Sequence, residues 1–196
     1  EHTVKGKALP LALHEAVSIA SETTTGVAVP LIGYHREIAL LKNEFHAARA
    51  SASGRMLLLV GEPGVGKTRL GNEFEDFTDG LPETVRWHRG RCLAYGDGVA
   101  YSALVGAVRG RIGADDGDDP AALREKLGAG VERWTPDPDE AAWITPRLEA
   151  LLGLGTGSFE RDDLFAAWLT WFERIGADGS PVVWVVDDLH AADDAF

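Results

Sequence analysis

One octet constrains this chain more than any other feature: Gly61-Glu62-Pro63-Gly64-Val65-Gly66-Lys67-Thr68. It fits the pattern G-x-x-x-x-G-K-[ST], whose chance occurrence over a chain of this composition is roughly 0.6%, too rare to be background. The pattern makes physical sense only in a particular setting. Its glycines let the backbone wrap tightly, so that successive N–H groups near Gly64 to Thr68 turn inward as an anion nest. A helix starting there adds the positive end of its dipole. Lys67 can then reach the outer phosphates of a polyphosphate, and the Thr68 hydroxyl can bind Mg²⁺. The flanking sequence supplies that setting. Met56-Leu57-Leu58-Leu59-Val60 is a short apolar run bounded by glycines, which predicts a strand buried on both faces. Beyond the loop, Leu70, Phe74 and Phe77 mark one face of a helix.

The rest of the chain follows the same alternation. Ile38, Leu41, Phe45 and Ala48 predict an amphipathic helix from Arg36 to about Ala50, closed by Ser51-Ala52-Ser53-Gly54. Residues 84–92 carry strand residues, with Val85 and Trp87 among Arg86, Arg89 and Arg91. From Tyr101 to about Gly176 the pattern is mostly helical, clearest where Leu164, Phe165, Trp168, Leu169, Phe172 and Ile175 form one stripe. Val182-Val183-Trp184-Val185-Val186 predicts a second apolar strand. Strands alternating with helices indicate an α/β fold with a parallel sheet, and there is no internal repeat. Residues 1–29 read differently, as a tail and linker. They offer a turn at Val4-Lys5-Gly6-Lys7, a short strand at Leu9-Pro10-Leu11-Ala12-Leu13 and a small, polar connector over 18–25. A domain over 30–196 follows.

A second acidic feature completes the chemistry. Asp187 and Asp188 follow the apolar strand directly, and the C-terminal edge of a parallel sheet is where ligands bind in open α/β folds. Asp187 is placed to hold Mg²⁺ through water as partner to Thr68. Asp188 is placed to polarise an attacking water as a general base. The alternative is that two acidic residues merely end a strand. Other residues read more plainly: Cys92 as a small apolar strand residue, Trp168 and Trp171 as packing, and Asp115-Asp116-Gly117-Asp118-Asp119 as a solvated acidic loop lacking calcium-loop spacing. His190 reads as a locally packed loop histidine, with a γ-phosphate contact as the alternative. Arg86, Arg89 and Arg91 read as a solvated edge, with phosphate contact as theirs.

Composition narrows the classes. With 19 basic against 31 acidic residues the net charge is −12, which argues against direct nucleic-acid binding. One cysteine excludes a disulfide framework and a Cys-rich zinc site. No apolar run approaches the roughly 20 residues of a membrane span, so no membrane partner is expected. The start at Glu1-His2-Thr3 lacks a signal-peptide pattern, and the expected location is the cytoplasm. The missing initiator methionine and the stop at Phe196 lead to the expectation of a fragment of a longer protein.

At Pro30-Leu31-Ile32-Gly33, at 61–70 and at 182–194 the chain resembles the AAA-type ATPase module of signal-transduction ATPases with numerous domains, the STAND class, found in LuxR-type regulators and behind class III adenylate cyclase domains. The phrases Gly61 to Leu70 and Val186-Asp187-Asp188-Leu189-His190 with Ala192-Asp193 carry the likeness, which spans roughly 30–196. It implies a three-layer P-loop NTPase fold, ATP or ADP with Mg²⁺ as ligands, and nucleotide contacts from Ile32, Gly33, Gly61, Glu62, Pro63, Gly64, Val65, Gly66, Lys67, Thr68 and Arg69. Lys67 and Asp188 would be catalytic, and Thr68 and Asp187 would hold the metal. Ile32-Gly33 would lie near adenine, favouring ATP over GTP. Two residues depart from the family's habit: Tyr34 stands where arginine is usual, and Ala191 where tryptophan is. The likeness also implies that two further strands, the sensor residues and a winged-helix lid follow Phe196, so that the sheet is truncated here. The tail Val4-Lys5-Gly6-Lys7-Ala8-Leu9-Pro10 resembles the end of a cyclase domain.

The expectation is therefore a slow Mg²⁺-ATP hydrolase acting as a switch, partnered by neighbouring domains of its own chain, with an oligomer left open. A non-hydrolysing nucleotide scaffold is the second reading. A P-loop small-molecule kinase is the third, disfavoured because about 119 helix-rich positions separate Thr68 from Asp187, where a compact lid is usual.

Overall fold

The computed structural model describes residues 32–93, 101–155 and 157–192. The turn, strand and connector expected within 1–29 lie outside them. Among the described residues six helices and two strands follow in the order α1 (His35–Ser51), α2 (Lys67–Asp79), β1 (Arg86–Arg91), α3 (Ser102–Arg111), α4 (Pro120–Trp134), α5 (Pro138–Leu151), α6 (Arg161–Ile175) and β2 (Val182–Asp187), with a 3₁₀ turn at Leu189–Ala191.

Local chemistry sets several of these boundaries. Asp119 accepts hydrogen bonds from the N–H groups of Ala121 and Ala122, and Asp137 from those of Asp139 and Glu140. Each aspartate precedes a proline in the first helical turn, where the missing N–H costs nothing. The acidic 115–119 loop is held by Lys126, whose Nζ donates to Asp115 Oδ2 (3.2 Å), Asp118 Oδ2 (2.7 Å) and the Gly113 carbonyl (2.9 Å). Among the described residues no group of three or more His, Cys, Asp or Glu is arranged to hold a metal ion.

β1 and β2 pair in parallel, from Arg86 opposite Val182 to Arg91 opposite Asp187. Successive side chains leave opposite faces of a strand, so this register sorts the helices into layers. Trp87 and Arg89 meet α2: the Trp87 indole N–H donates to Thr78 Oγ1 (2.7 Å), and the Arg89 guanidinium donates to Asn72 Oδ1 (2.9 Å) and Glu75 Oε2 (2.6 Å). His88 and Trp184 face the other way, onto Phe172 of α6, at 4.6 and 5.1 Å between ring centroids. Helices therefore cover both faces of the strand pair. On the second face Val108, Leu127, Val131, Ile144, Leu148, Trp171 and Ile175 form a core from which water is excluded.

Three expectations change. Residues 56–60 do not form a strand, and their side chains range from 38% exposed at Leu57 to 93% at Met56. A strand exists only through ladder hydrogen bonds to a neighbour, and among the described residues β2 pairs with β1 alone. For the same reason no residue of β2 is fully buried, and Val182 is exposed. In α6, Leu169 is 53% exposed while Trp171 is fully buried. Leu169 stands two positions, about 200°, from Ala167 and Trp171, and so faces outward. Finally, the solvated edge holds for Arg91 alone, whose side chain is 71% exposed, whereas Arg86 and Arg89 are largely covered; all three are ion-paired, Arg86 with Asp178 and the others as described below. Arg86 also lies 4.4 Å from the Trp134 ring centroid, which Arg111 (4.8 Å) and Arg133 (5.1 Å) approach as well.

His88 gives the fold an acid-sensitive point. It is 3% exposed, and its Nε2 has no hydrogen-bond partner among the described residues. Burial, and then the charges of Arg111 and Arg86, push its pKa down to about 4. The unfolded chain takes up that proton near pH 6.5 and the folded chain only near 4, so stability falls as pH drops between those values. The expected loss from this group is roughly 3 kcal/mol. Asp178, whose carboxyl is held down to about 2 by Ser180 and Arg86, loses its contribution in a separate window below about pH 4. Urea unfolding followed by tryptophan fluorescence at pH 7, 5.5 and 4.5 should show the decline in the native protein and a flatter profile in His88→Leu. Parallel profiles would show that His88 is not the group responsible.

Candidate functional site

The loop adopts the backbone its glycines permit. Gly64 (φ 81°) and Gly66 (φ 98°) both lie in the left-handed region that other residues avoid. The N–H of Val65 donates to the Glu62 carbonyl (3.4 Å), and that of Leu70 to the Gly66 carbonyl (2.9 Å), which opens α2. Gly66 is the N-cap of α2 and offers no side chain to its first N–H groups, unlike the aspartates before α4 and α5. Those groups remain available to an anion. Lys67 Nζ donates to the carbonyls of Gly61 (2.9 Å) and Glu62 (3.0 Å), so its ammonium is held against the loop. Thr68 follows in the first turn, exposed, as are Glu62, Pro63 and Val65; Arg69 is half-buried.

Helix α1 braces this corner. Phe45 packs edge-on against Phe74 (5.9 Å), and Lys42 Nζ stands 4.2 Å from the Phe77 ring centroid. At its start, Gly33 (φ 89°) turns the chain, Ile32 is 78% exposed, and the Tyr34 hydroxyl donates to the Val65 carbonyl.

The acidic end is built by the strand pair. Asp187 closes β2, and its carbonyl accepts from the Cys92 N–H (3.0 Å) just beyond β1. Its carboxylate lies 4.0 Å from Arg89 Nη1. Asp188 takes left-handed dihedrals (φ 54°, ψ 39°) at the turn out of the sheet, a region in which Asp and Asn are enriched. Arg91 Nε donates to its Oδ2 at 2.7 Å. A cleft of about 230 Å³ opens here, lined by Arg91, Cys92, Leu93, Asp188, His190 and Ala191. His190 thus lies on the same cleft as Asp188, and Cys92, which also lines it, is buried.

Two groups of residues are therefore brought together, the loop with Tyr34 and the aspartates with Arg89 and Arg91. Among the described residues no hydrogen bond joins residues 61–68 to either aspartate. The link is Arg89, which reaches Asn72, one turn beyond Thr68 on α2, from one side and Asp187 from the other. Sequence reading did not single out Tyr34, Arg89 and Arg91 for these roles. The period-two spacing of Trp87, Arg89 and Arg91 does place them on one face, but their partners depend on strand register.

The fold and this loop-and-acid pairing can be compared with known families. The family model described as the AAA ATPase domain matches residues 30–196. The chain belongs to the AAA ATPase domain family. The match runs from just before α1 through both strands, so the AAA ATPase domain includes the glycine loop and the aspartates. No curated protein and no solved structure matches the chain. Membership brings with it the P-loop NTPase fold and nucleotide binding as the family's general trait. No helix among the described residues of this AAA ATPase domain is long and apolar enough to cross a membrane.

Proposed function

We propose that this domain binds Mg²⁺-ATP and hydrolyses it slowly, as a switch within a multidomain signalling protein. The observation that carries the reading is the uncapped, glycine-bent start of α2 with Lys67 and Thr68 in its first turn, on a helix tied through Arg89 to Asp187. These residues fit a nucleotide with its cation. The positive-φ glycines offer backbone N–H groups to phosphate, and a Cβ at Gly64 would meet nothing within 4 Å, so the loop's outer side is open. Mg²⁺ needs only one or two protein oxygens beside phosphate oxygens and water, which Thr68 and Asp187 would supply. When bound, the cation would neutralise charge on the outer phosphates.

In this reading Lys67 holds the β- and γ-phosphates, and residues 61–69 supply the remaining loop contacts. Asp188 orients and deprotonates the attacking water, and Ile32 with Gly33 borders the adenine. The residues upstream of 30 would be the linker from a neighbouring domain, with a cyclase as the candidate. The exposed run 56–60 supports a sheet completed by further strands. ATP and ADP would favour different arrangements of this domain against its neighbours, as in STAND regulators.

The test is a titration of the protein with a fluorescent ATP analogue, with and without Mg²⁺, in competition with ATP, ADP and GTP. Binding that requires Mg²⁺ and is displaced by ATP and ADP but not GTP is expected. Equal displacement by GTP would remove the adenine assignment. No binding by the folded protein would remove the reading for this chain on its own.

A further inference from the structure

We propose that Tyr34 is a positioning residue for the phosphate-binding loop, through which α1 fixes the peptide that presents the Gly66 N–H to phosphate. The inference rests on the nucleotide-binding reading above and adds to it a residue outside the glycine pattern.

Three observations carry it. The Tyr34 hydroxyl donates to the Val65 carbonyl, 31 residues away in sequence. The Tyr34 ring lies beside Gly66, with its Cε2 3.8 Å from the point a Cβ there would occupy. Tyr34 is itself fixed: it is the N-cap of α1, its carbonyl accepts from the Ile38 N–H (3.0 Å), and α1 is docked on α2 through Phe45 and Phe74.

The Val65 carbonyl and the Gly66 N–H belong to one planar trans peptide and point in opposite directions. Holding the oxygen toward Tyr34 therefore aims the N–H away from it. Gly66 at φ 98° has the freedom to let that peptide rotate, so the octet alone does not fix its direction. A hydroxyl on a braced helix does. Together α1, the loop and α2 form a closed brace, joined at mid-helix by the phenylalanines and at Val65, two residues before Lys67, by Tyr34. Pre-orienting a donor in this way removes an ordering cost from ligand binding.

The test uses the full 196-residue chain and two variants. Tyr34→Phe keeps the ring and removes the donor, while Tyr34→Leu removes both. Calorimetric titrations with Mg²⁺-ATP, with pyrophosphate as a ligand for the loop alone, and with adenosine separate the contributions. Tyr34→Phe should weaken ATP and pyrophosphate by roughly 3- to 10-fold, in keeping with one lost hydrogen bond, and leave adenosine unchanged. Tyr34→Leu should weaken them further. The melting temperature of Tyr34→Phe without ligand should stay within about 2 °C of the native value, since the group is near the surface. In turnover, KM should rise by the same factor with kcat nearly constant. Native affinity for ATP and pyrophosphate in Tyr34→Phe would overturn the proposal. So would a loss shared equally with adenosine or matched by a large fall in melting temperature, either of which marks a merely structural role. If the native chain binds neither ATP nor pyrophosphate, the nucleotide reading itself fails, and this inference with it.

Discussion

Lys67→Ala should lose ATP by roughly two to three orders of magnitude, whereas Asp188→Asn should keep ATP and lose turnover by roughly 10²- to 10⁴-fold. The two effects separate because the two side chains sit in different places. The Lys67 ammonium is held against the carbonyls of Gly61 and Glu62, beside the N–H groups that would receive the phosphates. A charge-assisted hydrogen bond to phosphate is worth about 1.5–3 kcal/mol, and lysine would lose more than one. The substitution also removes two bonds to loop carbonyls, but these are exposed, so melting should shift by no more than a few degrees. Asp188 is on the far strand end, in a left-handed conformation that asparagine tolerates well. The side-chain oxygen of the introduced asparagine could still accept from Arg91, and an exposed ion pair of this kind contributes at most about 1 kcal/mol. What asparagine lacks is a carboxylate able to take a proton from water. Equilibrium binding of a fluorescent ATP analogue and phosphate release should be measured for both variants. Unchanged ATP affinity in Lys67→Ala would overturn the nucleotide assignment. Unchanged turnover in Asp188→Asn would leave binding intact and favour another base.

Which of these features can be read from sequence depends on how local their causes are. The helix after the loop and the helices within 101–176 are where periodicity puts them, because a helix face is decided within a few residues, and the strands expected over 84–92 and 182–186 form as β1 (86–91) and β2 (182–187). The glycines at 64 and 66 are similarly local, since positive φ selects for them. The run 56–60 shows the limit. Five consecutive apolar residues have the composition of a buried strand, yet whether they become one depends on a neighbouring strand that no local pattern supplies. The same holds for Arg89 and Arg91, whose carboxylate partners are set by the register of β1 against β2. Tyr34 was visible as a departure from the family's usual arginine, but its contact with Val65 spans 31 positions and follows from how α1 docks. Nothing in the local sequence marks His88 within the run 84–92. Its depressed pKa comes from α6 packing over it and from arginines contributed by α3 and by its own strand.

Gly90→Ala should be among the most destabilising single-atom changes available in this domain, and the reason is space rather than backbone freedom. A Cβ on Gly90 would lie 2.0 Å from the Ala103 carbonyl oxygen, 2.6 Å from its carbon and 2.7 Å from its Cα. All three are backbone atoms, so no rotamer change can make room. Gly106 approaches the same point from the next turn, where its own Cβ would stand 3.6 Å from the Gly90 Cα. Helix α3 therefore lies directly on β1, and the glycine is what lets it. A methyl group would lift α3, and with it Leu104, Ala107 and Val108, out of the core they share with Leu127, Trp171 and Ile175. Overpacking of that severity is expected to cost roughly 3–5 kcal/mol, a large part of the 5–15 kcal/mol that usually holds a domain folded. Gly128→Ala is the matched control. It lies inside α4 with nothing within 4 Å of its missing Cβ, and it should stabilise by about 0.5–1 kcal/mol. Urea unfolding followed by tryptophan fluorescence measures both. Because Arg91 follows Gly90, any Gly90→Ala protein that still folds should also show a disturbed Asp188 and slower turnover than its folded fraction accounts for. A Gly90→Ala protein as stable as the native one would mean that α3 does not rest on β1, and the layer that carries the aspartates would have to be rebuilt.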